Sequence, residues 1–143
     1  MRQRLALAGM IVFGVCSVFS PALAQEDEID CASAMTQADM NICANKDYET
    51  ADNALNAVYK KTVAAMKDKD KELSEIDPNY VGAVDALKKA QRAWIDYRDG
   101  QCDLAGFEAR GGSMEPMLVS GCLADLTKRR TDELKALIEG PGN

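Results

Sequence analysis

The sequence predicts an all-α fold, a small disulfide-stapled bundle of three to four helices. Three observations lead there. Apolar side chains recur at helical intervals through three long segments, and no segment keeps a strand's two-residue alternation for long. Proline and glycine clusters at Pro78, Gly111-Gly112 and Gly140-Pro141-Gly142 punctuate those segments. Four cysteines lie in the same region, in a chain that contains no histidine.

Before the helical region comes a different kind of segment. Arg2 and Arg4 precede an apolar run from Leu5 to Phe19, followed by Ser20, Pro21 and the small-x-small triplet Ala22-Leu23-Ala24. Basic, then apolar, then small residues is the layout of a secretory signal. The run is shorter than the ~20 residues that span a bilayer. Residues 1–24 are therefore expected to be a cleaved signal peptide, and residues 25–143 a single helical domain in the periplasm or outside the cell. Cys16 is no candidate for lipidation. Phe13-Gly14-Val15 before it lacks the residues of a lipobox, and Cys16 sits in the middle of the apolar run.

The mature chain would hold 119 residues, with 15 basic against 23 acidic side chains and a net charge of −8. Nucleic acid and anionic membrane surfaces reward the opposite sign and are poor partner candidates, so no nucleic acid is expected. A basic protein partner fits better, although the same charge also serves solubility. No stable membrane insertion is expected after cleavage, and nothing in the sequence fixes the oligomeric state. Cys31, Cys43, Cys102 and Cys122 remain after cleavage. An even number in an exported chain points to disulfides. Three connectivities are possible, and the sequence does not choose among them. The short closures, Cys31 to Cys43 and Cys102 to Cys122, would each contribute about 3 kcal/mol by restricting the unfolded chain. Zinc is a poor alternative without a Cys-x-x-Cys or a histidine.

Element by element, Thr36 reads as a helix N-cap, with Asp39 placed for the positive end of the dipole. Met40, Cys43, Tyr48, Ala51, Leu55, Val58, Tyr59, Thr62 and Met66 follow at helical spacing. Asn45-Lys46-Asp47 is a point where this helix is expected to break or bend. A charged stretch, Lys67 to Glu75, ends at Asp77-Pro78. The second helix is expected from about Asn79 to Leu104, on Val81, Val84, Leu87, Ala90, Trp94, Ile95 and Cys102. Ser113 is the expected N-cap of the third helix, with Pro116 in its first turn. Its stripe is Val119, Leu123, Leu126, Arg130, Leu134 and Leu137, and Gly140 closes it.

Enzyme chemistry finds little support. The commonest general base is absent, and no nucleophile elbow, phosphate loop or dinucleotide fingerprint appears, so no cofactor is expected. Three constellations remain. In Gln91-x-x-Trp94-x-x-Tyr97-Arg98, Arg98 falls one turn from Trp94, so it can stack there and reach an acid such as Asp52 on a neighbouring helix. This reads as a structural cluster more readily than as an interface patch. Asp52, Leu55 and Tyr59 form a second row with Asn56 one turn from Asp52, and its polar residues are expected to be a buried network that fixes helix register. The third is the loop Ala109 to Pro116, where two glycines give backbone freedom and a Cys102–Cys122 bridge would tether the base. Its residues Gly111, Gly112, Ser113 and Met114 are the candidate partner-binding residues.

The motifs Thr36-Gln37-x-x-Met40-Asn41-x-Cys43, Ala51-Asp52-x-x-Leu55-Asn56-x-x-Tyr59, Gln91-x-x-Trp94-x-x-Tyr97-Arg98-x-x-x-Cys102, Gly111-Gly112-Ser113-Met114 and Cys122-x-x-x-Leu126-Thr127-x-x-Arg130 occur in this order. Together they resemble the LprI-like N-terminal domain family, small exported bacterial proteins named for a mycobacterial lysozyme inhibitor. The resemblance implies a helical envelope domain with lysozyme inhibition as its activity. Animal lysozymes are strongly basic and work through carboxylates in a cleft, so an acidic chain would be steered toward them. The leading expectation is a non-enzymatic inhibitor that occludes that cleft. The alternative is a periplasmic interaction module that binds an envelope protein or peptidoglycan without inhibition. A carboxylate enzyme acting on the cell wall ranks third.

Overall fold

A computed structural model describes residues 29–140. The expected signal peptide, its cleavage after Ala24, Cys16, and Pro141 and Gly142 lie outside the described residues. Three helices make the fold: α1 (Gln37–Ile76), α2 (Ala83–Gly106) and α3 (Glu115–Glu139). Short 3-10 turns, Pro78–Tyr80 and Phe107–Ala109, stand in the two connections. The helices run up, down and up. Asn41 meets Ser113 and Thr62 meets Leu134, so α1 and α3 are parallel neighbours. Contacts of Asp52 with Arg98 and of Asp70 with Gly82 set α2 antiparallel to α1.

Helix α1 begins where the sequence placed it, with Thr36 Oγ1 accepting from the Asp39 N–H at 3.1 Å. It then continues unbroken for 40 residues, about 60 Å at the helical rise, so the expected break at Asn45-Lys46-Asp47 does not occur. Asn45 turns outward and donates to Glu49 Oε1 at 2.8 Å, and so does not compete for the backbone. The helix stops at Ile76, where Asp77 adopts extended backbone before Pro78.

Helix α2 starts at Ala83, later than expected, because Val81 and Gly82 belong to the turn. Gly82 has φ +142°, a conformation reserved for glycine, and it brings no capping side chain. Asp70, on α1, supplies the cap instead. Its carboxylate accepts from the N–H groups of Gly82, Ala83 and Val84 at 2.8, 2.7 and 3.1 Å. These bonds, that of Gly82 first, then those of Val84 and Ala83, hold the Asp70 carboxyl below the usual range.

The core is thin. Leu55, Leu87 and Leu134 are buried together, flanked by Val58, Tyr59, Val63, Met66 and Trp94. On α3 the buried row is Ala124, Thr127, Thr131 and Leu134; Leu134 belongs to the stripe the sequence suggested, whereas the other three lie one position beyond Leu123, Leu126 and Arg130. Leu137 is 57% exposed, and Ala90 and Ile95 of the α2 stripe are exposed as well. Small side chains occupy the buried row, as close helix packing requires. Buried hydroxyls mostly bond within their own helix: Thr62 donates to Val58 O and Thr131 to Thr127 O. Thr127 Oγ1 has no hydrogen-bond partner among the described residues.

Two disulfides supplement this core. Cys31 pairs with Cys43, clipping the N-terminal turn to α1, and Cys102 pairs with Cys122 between α2 and α3. Cys102 is fully buried, whereas Cys31 is exposed. Beside the second bridge Gly106 permits close approach, since a Cβ there would lie 2.7 Å from Val119 Cγ2.

Gly106→Ala should lower stability by about 1–3 kcal/mol, because a β-branched side chain must give way. Gly100→Ala, in open space within α2, should raise it by about 0.5–1 kcal/mol, measured by urea titration. Asp70→Asn should lower the melting temperature at pH 7. A carboxyl held below its unfolded value, about 4, stabilises above that pH and loses its effect as the pH falls through the folded value. The two proteins should therefore converge as the pH falls through that lowered value, and a gap that persists in strong acid would sink this account.

Candidate functional site

Two groupings of side chains stand apart from the core. The first lies along the side of the bundle. Arg98 extends from α2 with its side chain 10% exposed, its guanidinium carbon 5.1 Å from the centre of the Trp94 ring and 5.6 Å from that of Tyr48. Its charge is met by Asp99 at 2.8 Å and by Asp52 of α1 at 3.6 Å. From α3, Arg130 also comes over the same indole, 6.0 Å from its centre, donating from Nε to Gln91 Oε1 at 3.1 Å and pairing with Glu133. Trp94 is thus held by a cation from each of two helices.

The row Asp52, Asn56 and Tyr59 is not the buried network the sequence suggested. Asn56 is exposed and donates only to Asp52 Oδ2 within α1, and Asp52 itself is 37% exposed. Tyr59 packs against the apolar core. The links between helices come from Arg98 and from Arg130 with Gln91. Arg98 pairs with Asp52 and Arg130 with Gln91, and both arginines lie over Trp94, so this side reads as a register-setting brace.

The second grouping is the end of the bundle where α2 turns into α3. Loop residues 110–114 are exposed there, yet they are braced rather than free. Arg110 lies 4.4 Å over the Phe107 ring and pairs with Asp103 at 3.2 Å and Glu115 at 2.9 Å. The Gly111 N–H donates to the other oxygen of Glu115 at 2.7 Å, and Gly112 N–H donates to Ala109 O at 2.8 Å. Gly111 has φ +76°, and a Cβ on Gly112 would lie 3.0 Å from Ala109 O, so both glycines are required by the shape of the loop. Across the bundle, Asn41 Nδ2 donates to Ser113 O at 2.9 Å, tying the loop to the start of α1. Ser113 is not the N-cap of α3. Met114 holds that position without a side-chain bond, and Pro116 stands in the first turn.

The sequence singles out the four loop residues but not what holds them. Arg110, Asp103 and Glu115 carry no periodic signal, because the loop that brings them together has none. Asn41 sits 72 residues from its partner. A shallow open groove of about 490 Å³ runs beside the loop between α1 and α3, lined by Ile42, Asn45, Glu49, Pro116 and Ser120 among others. Among the described residues no three metal-capable side chains cluster, and no helix is long and apolar enough to cross a membrane.

Comparison with known proteins places the chain. A family model described as "Lysozyme inhibitor LprI" matches residues 29–134. An uncharacterized protein of Rhizobium meliloti (strain 1021) is 65% identical over 124 residues, spanning 87% of this chain and 89% of that protein. No solved structure matches the chain at a significant level.

The brace around Trp94 predicts unequal costs. Arg98→Ala should lower stability by about 2 kcal/mol through lost stacking on two rings. Asp52→Ala should cost under about 1 kcal/mol, as partly exposed ion pairs do. Equal losses in paired thermal melts would show that the ion pair, not the stacking, carries the cluster.

Proposed function

The chain belongs to the lysozyme inhibitor LprI family, and from that premise we propose that it is an exported inhibitor whose 111–114 loop occludes the cleft of a lysozyme. Residues 1–24 are its cleaved signal and residues 25–143 its single inhibitory domain. The basic segment, apolar run and small-residue triplet at the N-terminus support export.

The observation that carries the mechanism is the brace on the loop. A segment that enters a cleft loses affinity for every torsion it must freeze on binding. Here the freezing has been done in the free protein, by Arg110, Glu115 and Asn41. What projects is small or flexible: two glycines, a serine whose backbone carbonyl alone is engaged, and Met114, 41% exposed. Such a profile fits a narrow polar cleft better than a flat surface. The net charge of the mature chain, −8, has the sign a basic enzyme attracts. Family membership supports an inhibitor rather than an enzyme, and it supports lysozyme as the partner.

Oxidised protein should be titrated against chicken-type lysozyme hydrolysing bacterial cell walls. The expected outcome is stoichiometric loss of activity that weakens with salt. Ser113→Trp, which leaves the brace intact, should weaken inhibition at least about tenfold with an unchanged melting temperature. Unchanged inhibition by that variant would remove the loop from the cleft. No inhibition of chicken-, goose- or invertebrate-type lysozyme at large excess would overturn the whole reading.

A further inference from the structure

The charge of this protein is not spread along its length. Residues 29–49 and 99–122 form the loop end, and they hold eight carboxylates against two cations, Lys46 and Arg110. Arg110 is consumed internally by Asp103 and Glu115. The other described residues hold 12 carboxylates against 13 cations. One end therefore carries a net −6 and the rest of the bundle +1. At the same end large apolar side chains stand in solvent: Leu104 is 62% exposed, Phe107 55%, Ile42 43% and Met114 41%. Leu104 and Phe107 lie about one turn apart at the close of α2, and the Phe107 ring is backed by the Arg110 guanidinium.

From this juxtaposition we propose that the whole loop end is a docking face for the basic rim of a lysozyme cleft, with Leu104, Phe107 and Met114 as its apolar anchors and the unpaired carboxylates around them as its steering charges. The proposal rests on the inhibitor reading and extends it from a four-residue loop to a surface. Apolar side chains ringed by charge are the ordinary composition of a protein interface, with anchors near the centre and charge at the rim. Charge complementarity selects the occupant. A second copy would bring a net −6 against −6, and an anionic membrane would repel the same end. A basic protein meets both the charge and the apolar centre.

Two variants that remove equal charge separate this face from mere acidity. D47N/E49Q/E108Q neutralises three loop-end carboxylates that pair with no cation, and D68N/E72Q/E75Q neutralises three at the other end. Association with chicken-type lysozyme would be followed by surface plasmon resonance across salt concentrations, with melting temperatures as a control on folding. The loop-end variant is expected to associate about tenfold more slowly at low salt, with a flatter salt dependence, while the far-end variant matches wild type. L104A/M114A is expected to dissociate about tenfold faster with association unchanged. Equal loss in both charge variants overturns the face while leaving the inhibitor reading in place. So does wild-type behaviour of L104A/M114A, or self-association through these residues. Failure of the wild-type protein to bind any lysozyme overturns the inhibitor reading and this face together.

Discussion

The Cys102–Cys122 bridge joins α2 to α3 one turn before α2 ends, and the geometry of the loop end depends on it. Only three leucines are buried together in this core. At about 1.5–3 kcal/mol for each buried leucine, their sum is only a few times the ~3 kcal/mol that a 20-residue closure contributes. The bridge is thus equivalent to at least one further core residue, placed where the core has already run out. With α2 and α3 fixed there, Gly106 can sit against Val119. The chain must then reverse within a few residues, and that reversal brings Arg110 back over Phe107 and onto Asp103 and Glu115. Without the bridge each of those contacts would have to hold the helices together as well as shape the loop.

Where the core is thin, polar groups take over the work of register. Asp70 caps α2 from a different helix, fixing how far α2 slides along α1. Arg98 and Arg130 hold Trp94 between α1, α2 and α3 at mid-height. Asn41 ties α1 to the loop at the far end. These fastenings are spaced along the bundle, so each sets one level of the packing. Fastenings of this kind specify one arrangement more than they add stability, since exposed ion pairs contribute little.

The helical architecture was legible because periodicity and caps are local. Thr36, Asp77-Pro78 and Gly140 mark boundaries in the structure as they do in the sequence. Errors arose wherever a local rule met a tertiary override. Asn45 and Asp47 are weak helix formers, but an exposed face tolerates them within a long packed helix. The third helix hid its buried row because threonine and alanine carry little hydropathy, although they are what close packing of α1 and α3 admits. At the loop, Gly111 and Gly112 announced a turn. Arg98 and Trp94 could be paired from their spacing alone, whereas Arg130 with Gln91, 39 residues apart, and Asn41 with Ser113 could not. Asp70 was hidden in the charged run from Lys67 to Glu75, where its capping role has no local sign.

Polarity of charge gives the loop end a role that net charge alone would not. A protein with the same total spread evenly would be drawn to a basic surface in any orientation, and most encounters would be unproductive. Here a net −6 sits at one end and +1 on the other described residues, separated along α2 and α3, each about 36 Å long. The field of a cationic partner therefore exerts a torque as well as an attraction, turning the braced loop forward before contact. Orientation is the step that holds typical protein association far below the diffusion limit. The cations in this protein follow the same logic. At the loop end Arg110 is locked in a stack and two ion pairs, where it shapes the backbone without offering its charge outward. Most of the others lie on the remainder of the bundle, where they balance the carboxylates and leave that surface without a preferred partner.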